Sequence, residues 1–145
     1  MKKNIRYILS HIVLVVLIAS SLLCISVSAR SSDYLDAYGI VLTQKTGGRI
    51  VISVDVDALR EMTMIGASRI YLYESSDGKN FSVVKTYDYE DYPSMMDSGR
   101  HFYKDVATYY GTPGYQYYAV GYCYAGDSTG YDEKSYTTGV KTAIK

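Results

Sequence analysis

The residues able to do chemistry are few and scattered. Of the two histidines, His11 sits in an apolar N-terminal run, which leaves His101 as the one histidine of the remaining chain. A multi-histidine metal centre is therefore excluded, and only carboxylates are left to hold an ion. No Gly-x-Ser-x-Gly elbow accompanies His101, which reads as an ordinary strand residue. Asp55 and Asp57 stand two apart and project to one side of a strand, but calcium takes about six to eight oxygens and no second acidic cluster lies beside them in sequence. They read as a solvated outer face. Asp88, Glu90 and Asp91 could supply a calcium loop, although they lack the glycine and terminal glutamate of a recognised one. Cys123 shares the strand phase of Tyr117, Ala119 and Gly121, and reads as small buried filler with no base nearby in sequence to make it a nucleophile. No catalytic residue, metal ligand or cofactor is expected.

Tyrosine is the residue in excess, with 18 in the chain and no tryptophan. The densest stretch is 109–126, where a Pro-Gly turn leads into a long β-rich segment that ends at a turn over 126–130. With Tyr117 facing the core, Tyr118, Tyr122 and Tyr124 point outward, and Tyr71 and Tyr73 point outward from the strand expected beside them. Neighbouring strands lie about 4.8 Å apart, so these five rings form one candidate ligand-binding platform. Such a surface stacks on sugar rings or serves as a protein-binding face.

The first segment is a targeting signal. Lys2, Lys3 and Arg6 precede an apolar run over 8–27, and Val27 and Ala29 occupy the two positions that a signal peptidase reads. Residues 1–29 are expected to be removed, with secretion as the outcome; the alternative is an uncleaved membrane anchor, since about 20 apolar residues span a bilayer. A lipoprotein signal at Cys24 fails because Leu23 stands where a small residue is required. Without this segment, 12 basic residues face 15 acidic ones, a net charge of about −3. Nucleic acid is then a poor partner, because it needs a basic footprint. Cys123 also becomes the lone cysteine, so no internal disulfide helps the fold.

What must position these residues is a set of short strands. After a loose leader at 30–36, a single domain spans 37–145. A strand at 37–43 and a turn at 45–48 lead to the alternation of 49–57, in which Ile50, Ile52, Val54 and Val56 share one face. The alternation breaks over 58–66, which suits a helical turn crossing between sheets, and resumes at 67–74. Asp77-Gly78 and Asn80 make a hairpin to the strand 81–86. A long loop over 87–100, a strand at 101–107, the tyrosine strand and a last strand at 131–143 complete the chain. About seven strands with regular turns and no long helix predict an all-β, antiparallel Greek-key β-sandwich.

Thr112-Pro113-Gly114-Tyr115-Gln116-Tyr117 resembles the entry to strand F of fibronectin type III and related Ig-like domains, where a Pro-Gly turn precedes a tyrosine corner. Residues 70–84 resemble their C to C′ hairpin. The layout over 37–142 is similar to a family of small secreted proteins of unknown function from Gram-positive bacteria. The resemblance implies an Ig-like sandwich outside the cell and brings no catalytic residues. The expected function is a secreted, non-enzymatic binding or cell-surface interaction module for an unknown protein or glycan, bound to neither nucleic acid nor, after cleavage, the membrane. The alternatives are a carbohydrate-binding domain using the tyrosine platform and a small extracellular hydrolase.

Overall fold

The computed structural model describes residues 32–145. The described residues form one compact unit, Ser32–Lys145, and the expected signal peptide with its cleavage site lies outside them. No helix of the described residues is long and apolar enough to cross a membrane.

This unit is all-β, with seven strands in one curled antiparallel sheet. In chain order they are β1 (Leu35–Gln44), β2 (Arg49–Ser75), β3 (Ser82–Asp88), β4 (Met96–Tyr110), β5 (Gln116–Asp127), β6 (Gly130–Thr137) and β7 (Lys141–Thr142). Everything is hung on β2, which is 27 residues long. Its first half pairs with β1 on one side and β4 on the other, and its second half pairs with β5 on one side and β3 on the other. β6 adds to the free edge of β5, and β7 pairs with the start of β5.

The two-residue period along β2 gives each half a single apolar face. Ile50, Ile52, Val54 and Val56 are buried in the first half, and Ile70 and Leu72 in the second. Ile40 and Leu42 of β1, Phe102 and Val106 of β4, and Tyr117, Ala119, Cys123 and Ala125 of β5 join them in a single cluster. Each large aliphatic side chain buried this way contributes about 1.5–3 kcal/mol. The two halves of the curled sheet thus close on one shared core. A close approach between them is at Gly121 of β5, where an added Cβ would stand 2.1 Å from Ile40 Cδ1 of β1.

Residues 58–66 do not form the expected helical turn. They continue β2 with slipped pairing to β4, between Asp57 and Met62 and again between Met62 and Ile65. A bulged strand breaks the apolar alternation just as a helical turn does, and bulges bend and twist the strand that carries them. Gly66 completes the bend: its φ is +146°, and a Cβ there would lie 2.1 Å from the Met95 carbonyl oxygen.

Three other boundaries differ from expectation. The loop of 87–100 is largely structured, with a 3-10 turn at Pro93–Met95 that buries Met95, and β4 beginning at Met96. The described part of the leader, residues 32–36, is tied down: β1 starts at Leu35, and the Ser32 hydroxyl and the Asp33 and Tyr34 amides all donate to Asp132 of β6. The last strand is split in two around the buried Thr138, whose hydroxyl accepts from the Ala119 amide. The 75–80 turn is as expected. Gly78 has φ +70°, and Asp77 accepts from the Asn80 and Lys79 amides, which with the Ser75 hydroxyl and the Asn80 side chain hold its carboxyl far below the usual carboxylate range.

Candidate functional site: the tyrosine face

The second half of β2 and its neighbour β5 build this face through register. Tyr73 lies opposite Tyr118, Tyr71 opposite Val120, Arg69 opposite Tyr122 and Gly66 opposite Tyr124. Because Tyr117, Ala119, Cys123 and Ala125 are fully buried, alternation turns Tyr118, Tyr122 and Tyr124 to the outside, where each is half-buried, as are Tyr71 and Tyr73. All five expected tyrosines therefore share one outer face.

Their rings lean on one another. Tyr73 and Tyr118 stack at 4.6 Å with planes 3° apart, and Phe81 meets Tyr118 edge-on at 5.0 Å. Tyr71 and Tyr122 are 6.3 Å apart and nearly perpendicular, at 80°. Tyr124 stacks on Tyr131 of β6 at 5.2 Å. Such pairs are worth about 0.5–1.5 kcal/mol beyond area burial. Beside Tyr71 and Tyr122 the face opens into a depression of about 350 Å³, lined also by Ser68, Arg69, Asp88, Tyr89, Glu90 and Glu133.

Polar groups here are fixed by side-chain bonds. The Arg69 guanidinium donates to both Asp88 oxygens, at 2.9 and 3.1 Å, and this partner, with Tyr71 adding, raises its pKa above the ordinary value. The Ser68 hydroxyl donates to Glu133. Asp88 is thereby committed to Arg69, while Glu90 and Asp91 are exposed. Asp88, Glu90 and Asp91 are not among the His and acidic groups that the described residues bring within ligand distance of one another.

Beneath the face, Tyr117 anchors β5. Its ring is fully buried and its hydroxyl accepts from the Thr112 amide at 2.9 Å while donating to Glu74. Burial, with the Glu74 bond next, raises the phenol well above its ordinary range. Gly111 is required there, since a Cβ would come within 2.5 Å of the Tyr117 ring. Cys123 is free and buried, and burial pushes its thiol up to about 12, which keeps it protonated and unreactive at neutral pH.

The outer face of the other half carries Asp55 and Asp57, joined by a residue that the sequence did not place with them. Asp57 pairs with His101 across β2 and β4, and His101 Nδ1 lies 2.6 Å from Asp57 Oδ1. One atom each from Asp55, Asp57 and His101 falls within 4.8 Å of the others. A first-row divalent ion binds nitrogen and oxygen at about 2.0–2.2 Å and so sets its ligands about 3 Å or more apart, whereas His101 Nδ1 and Asp57 Oδ1, at 2.6 Å, are bonded to each other. As they stand, His101 and Asp57 are an exposed hydrogen-bonded pair, with side chains 58% and 47% accessible. Asp57 and Asp55 edge a shallow depression of about 150 Å³ over Gly39. As an acid-base dyad the pair has a base and an orienting carboxylate, but no hydroxyl or thiol is hydrogen-bonded to His101 among the described residues.

Sequence reasoning missed Arg69, Ser68, Tyr89 and Glu133 at the depression, and a second groove of about 640 Å³ between β3 and β4 lined by Lys85, Tyr87, Tyr92 and Tyr109. The Asp-Tyr-Glu run at 88–90 was visible; that it faces β5 was not. No protein family, curated protein or solved structure matches the chain.

Proposed function

We propose that this protein is an exported, non-enzymatic binding module with an Ig-like, fibronectin type III-like sandwich, whose outer tyrosine face holds a protein partner. The observation that carries the reading is that face: one side of β2 and β5 closes the core completely, while the other spends five half-buried tyrosines, with Tyr131 stacked beside them, on a surface the core does not use. Contiguous aromatic surface of this kind is characteristic of recognition sites.

Several features support the finer fold. Divided at its bend, β2 contributes one strand to a layer ordered β1-β2-β4 and another to a layer ordered β3-β2-β5-β6, which is how a seven-strand Greek-key sandwich distributes its strands. Tyr117 bonding back to the Thr112 amide has the form of a tyrosine corner. Export rests on the composition of residues 1–29, in keeping with the resemblance to small secreted Gram-positive proteins.

A protein partner is favoured over a glycan by ring geometry. Sugar stacking needs a free ring face, and Tyr73 and Tyr118 each lose one face to the other at 4.6 Å while Phe81 packs edge-on against Tyr118 at 5.0 Å. The test is biolayer interferometry of the purified protein against panels of immobilised extracellular proteins and of glycans, beside the Tyr73→Ala/Tyr122→Ala variant. The reading expects a protein hit that the double variant loses; a hit that survives the double variant, or hits confined to glycans, would contradict it.

A further inference from the structure

The depression on the tyrosine face carries a charge imbalance. Three carboxylates, Asp88, Glu90 and Glu133, line it against one cation, Arg69. Both Asp88 oxygens are taken by the Arg69 guanidinium, at 2.9 and 3.1 Å, so these two cancel. Glu90 and Glu133 remain without a basic partner among the described residues, and the Ser68 hydroxyl, which also reaches the Tyr122 carbonyl at 3.4 Å, fixes Glu133 in place.

Around these carboxylates stand phenol rings. Tyr71 and Tyr122, 6.3 Å apart at 80°, set two walls near a right angle, and Tyr89 lines the depression with them. An aromatic face attracts a cation through its quadrupole, most strongly where water is partly excluded. Arg69 meets Tyr71 at its hydroxyl, but among the described residues no cation of the chain lies over the faces of these rings: Arg60 lies over Tyr34, Lys85 over Tyr87 and Tyr92, and Lys104 over Phe102. A neutral ligand can offer these two carboxylates hydrogen bonds alone, whereas a cation gains from the charge of both carboxylates and from the rings. The volume of about 350 Å³ is within the range of small-ligand sites and admits an alkylammonium head with its stem.

We propose that this pocket binds an organic ammonium group, supplied by a lysine side chain of a partner or by a small quaternary amine. The inference rests on the reading of the tyrosine face as a binding surface and narrows what that surface takes.

An NMR titration of the purified protein with tetramethylammonium, with Nα-acetyl-lysine methylamide and with cellobiose as the neutral control tests it. The expected result is saturable shifts of the Tyr71, Tyr122 and Glu133 signals with an ammonium probe and none with cellobiose. Tighter binding of the lysine probe assigns the source to a partner side chain, and tighter binding of tetramethylammonium assigns it to a free quaternary amine. Tyr122→Ala weakens the bound probe about fivefold, the usual worth of one exposed cation-π contact. Glu133→Gln, a surface change that leaves the fold intact, weakens it about threefold, and added salt does the same. Shifts with cellobiose alone overturn the ammonium assignment while leaving the binding face standing; no shift with any probe, or shifts unaffected by Glu133→Gln and salt, also overturn it. The binding-face reading itself fails by a different readout, a Tyr73→Ala/Tyr122→Ala variant that unfolds in urea like a core truncation.

Discussion

Along its first half β2 turns Asp55 and Asp57 outward, while its second half turns out Arg69, Tyr71 and Tyr73. Inward, the two halves are alike: Ile50, Ile52 and Val54 in one, and Ile70 and Leu72 in the other, are all 0% exposed. Folding therefore treats the halves of the curled sheet equally, and the difference lies wholly on surfaces that the core does not need. On the first half, charged groups meet water singly or as the His101–Asp57 pair, which is what a sheet surface does when nothing covers it. On the second half, aromatic rings shield one another and leave a walled pocket. A strand with one repeating inner face can thus carry two unrelated outer ones, and function is to be sought where the outer face departs from what water alone would select.

The equivalence of the inner faces is the feature most easily broken. Ile52→Ala and Ile70→Ala should each cost about 2–5 kcal/mol in urea unfolding, within about 1 kcal/mol of one another. Unequal values, with one variant near zero, would mean that the halves do not share a core. The inner face should also fail in alkali. Burial holds the Cys123 thiol and the Tyr87 phenol neutral up to about 12, against ordinary values of 9.0 and 10.0. Their folded-state pKa values are raised, so the stability they contribute is whole below pH 9 and is lost as pH climbs towards 12, where the unfolded chain releases protons that the native one keeps. Urea midpoints at about pH 8, 9.5 and 11 should fall in that order.

Smaller effects sharpen the contrast. Tyr117→Phe keeps the ring and removes only the hydroxyl shared by the Thr112 amide and Glu74, for a loss of about 1–3 kcal/mol by chemical denaturation. At the low end, Asp57→Asn should change stability by less than about 0.5 kcal/mol, because a solvent-exposed polar pair is worth little. A larger loss would show that the charged face also holds the fold together.

The sequence made the phases legible and left the partners hidden. Alternation at 49–57, at 70–73 and along β5 assigned the inward and outward residues correctly, because period two is a local property and each β2 stretch keeps one unslipped ladder, 50–57 with β1 and 70–73 with β5. Tyr117 was identifiable for a similar reason: a Pro-Gly turn fixes where the strand starts. The bend at 58–66 was misread because bulges erase the alternation that marks a strand. His101 was placed in a strand, but only the register of β4 on β2 sets it across from Asp57. Glu133 and Arg69 reach the same pocket from strands on either side of β5, a meeting that no spacing in the chain announces.

A binding surface of this kind must be surplus to folding. Urea unfolding of the Tyr73→Ala/Tyr122→Ala variant beside Ile70→Ala measures this directly. A double loss of about 1–3 kcal/mol, the sum of two half-buried aromatic pairings and no more than that of the single core change, is the predicted result. A loss of about 5 kcal/mol or more, or an unfolded double variant beside a folded Ile70→Ala, would make the face part of the core and contradict its reading as a binding surface.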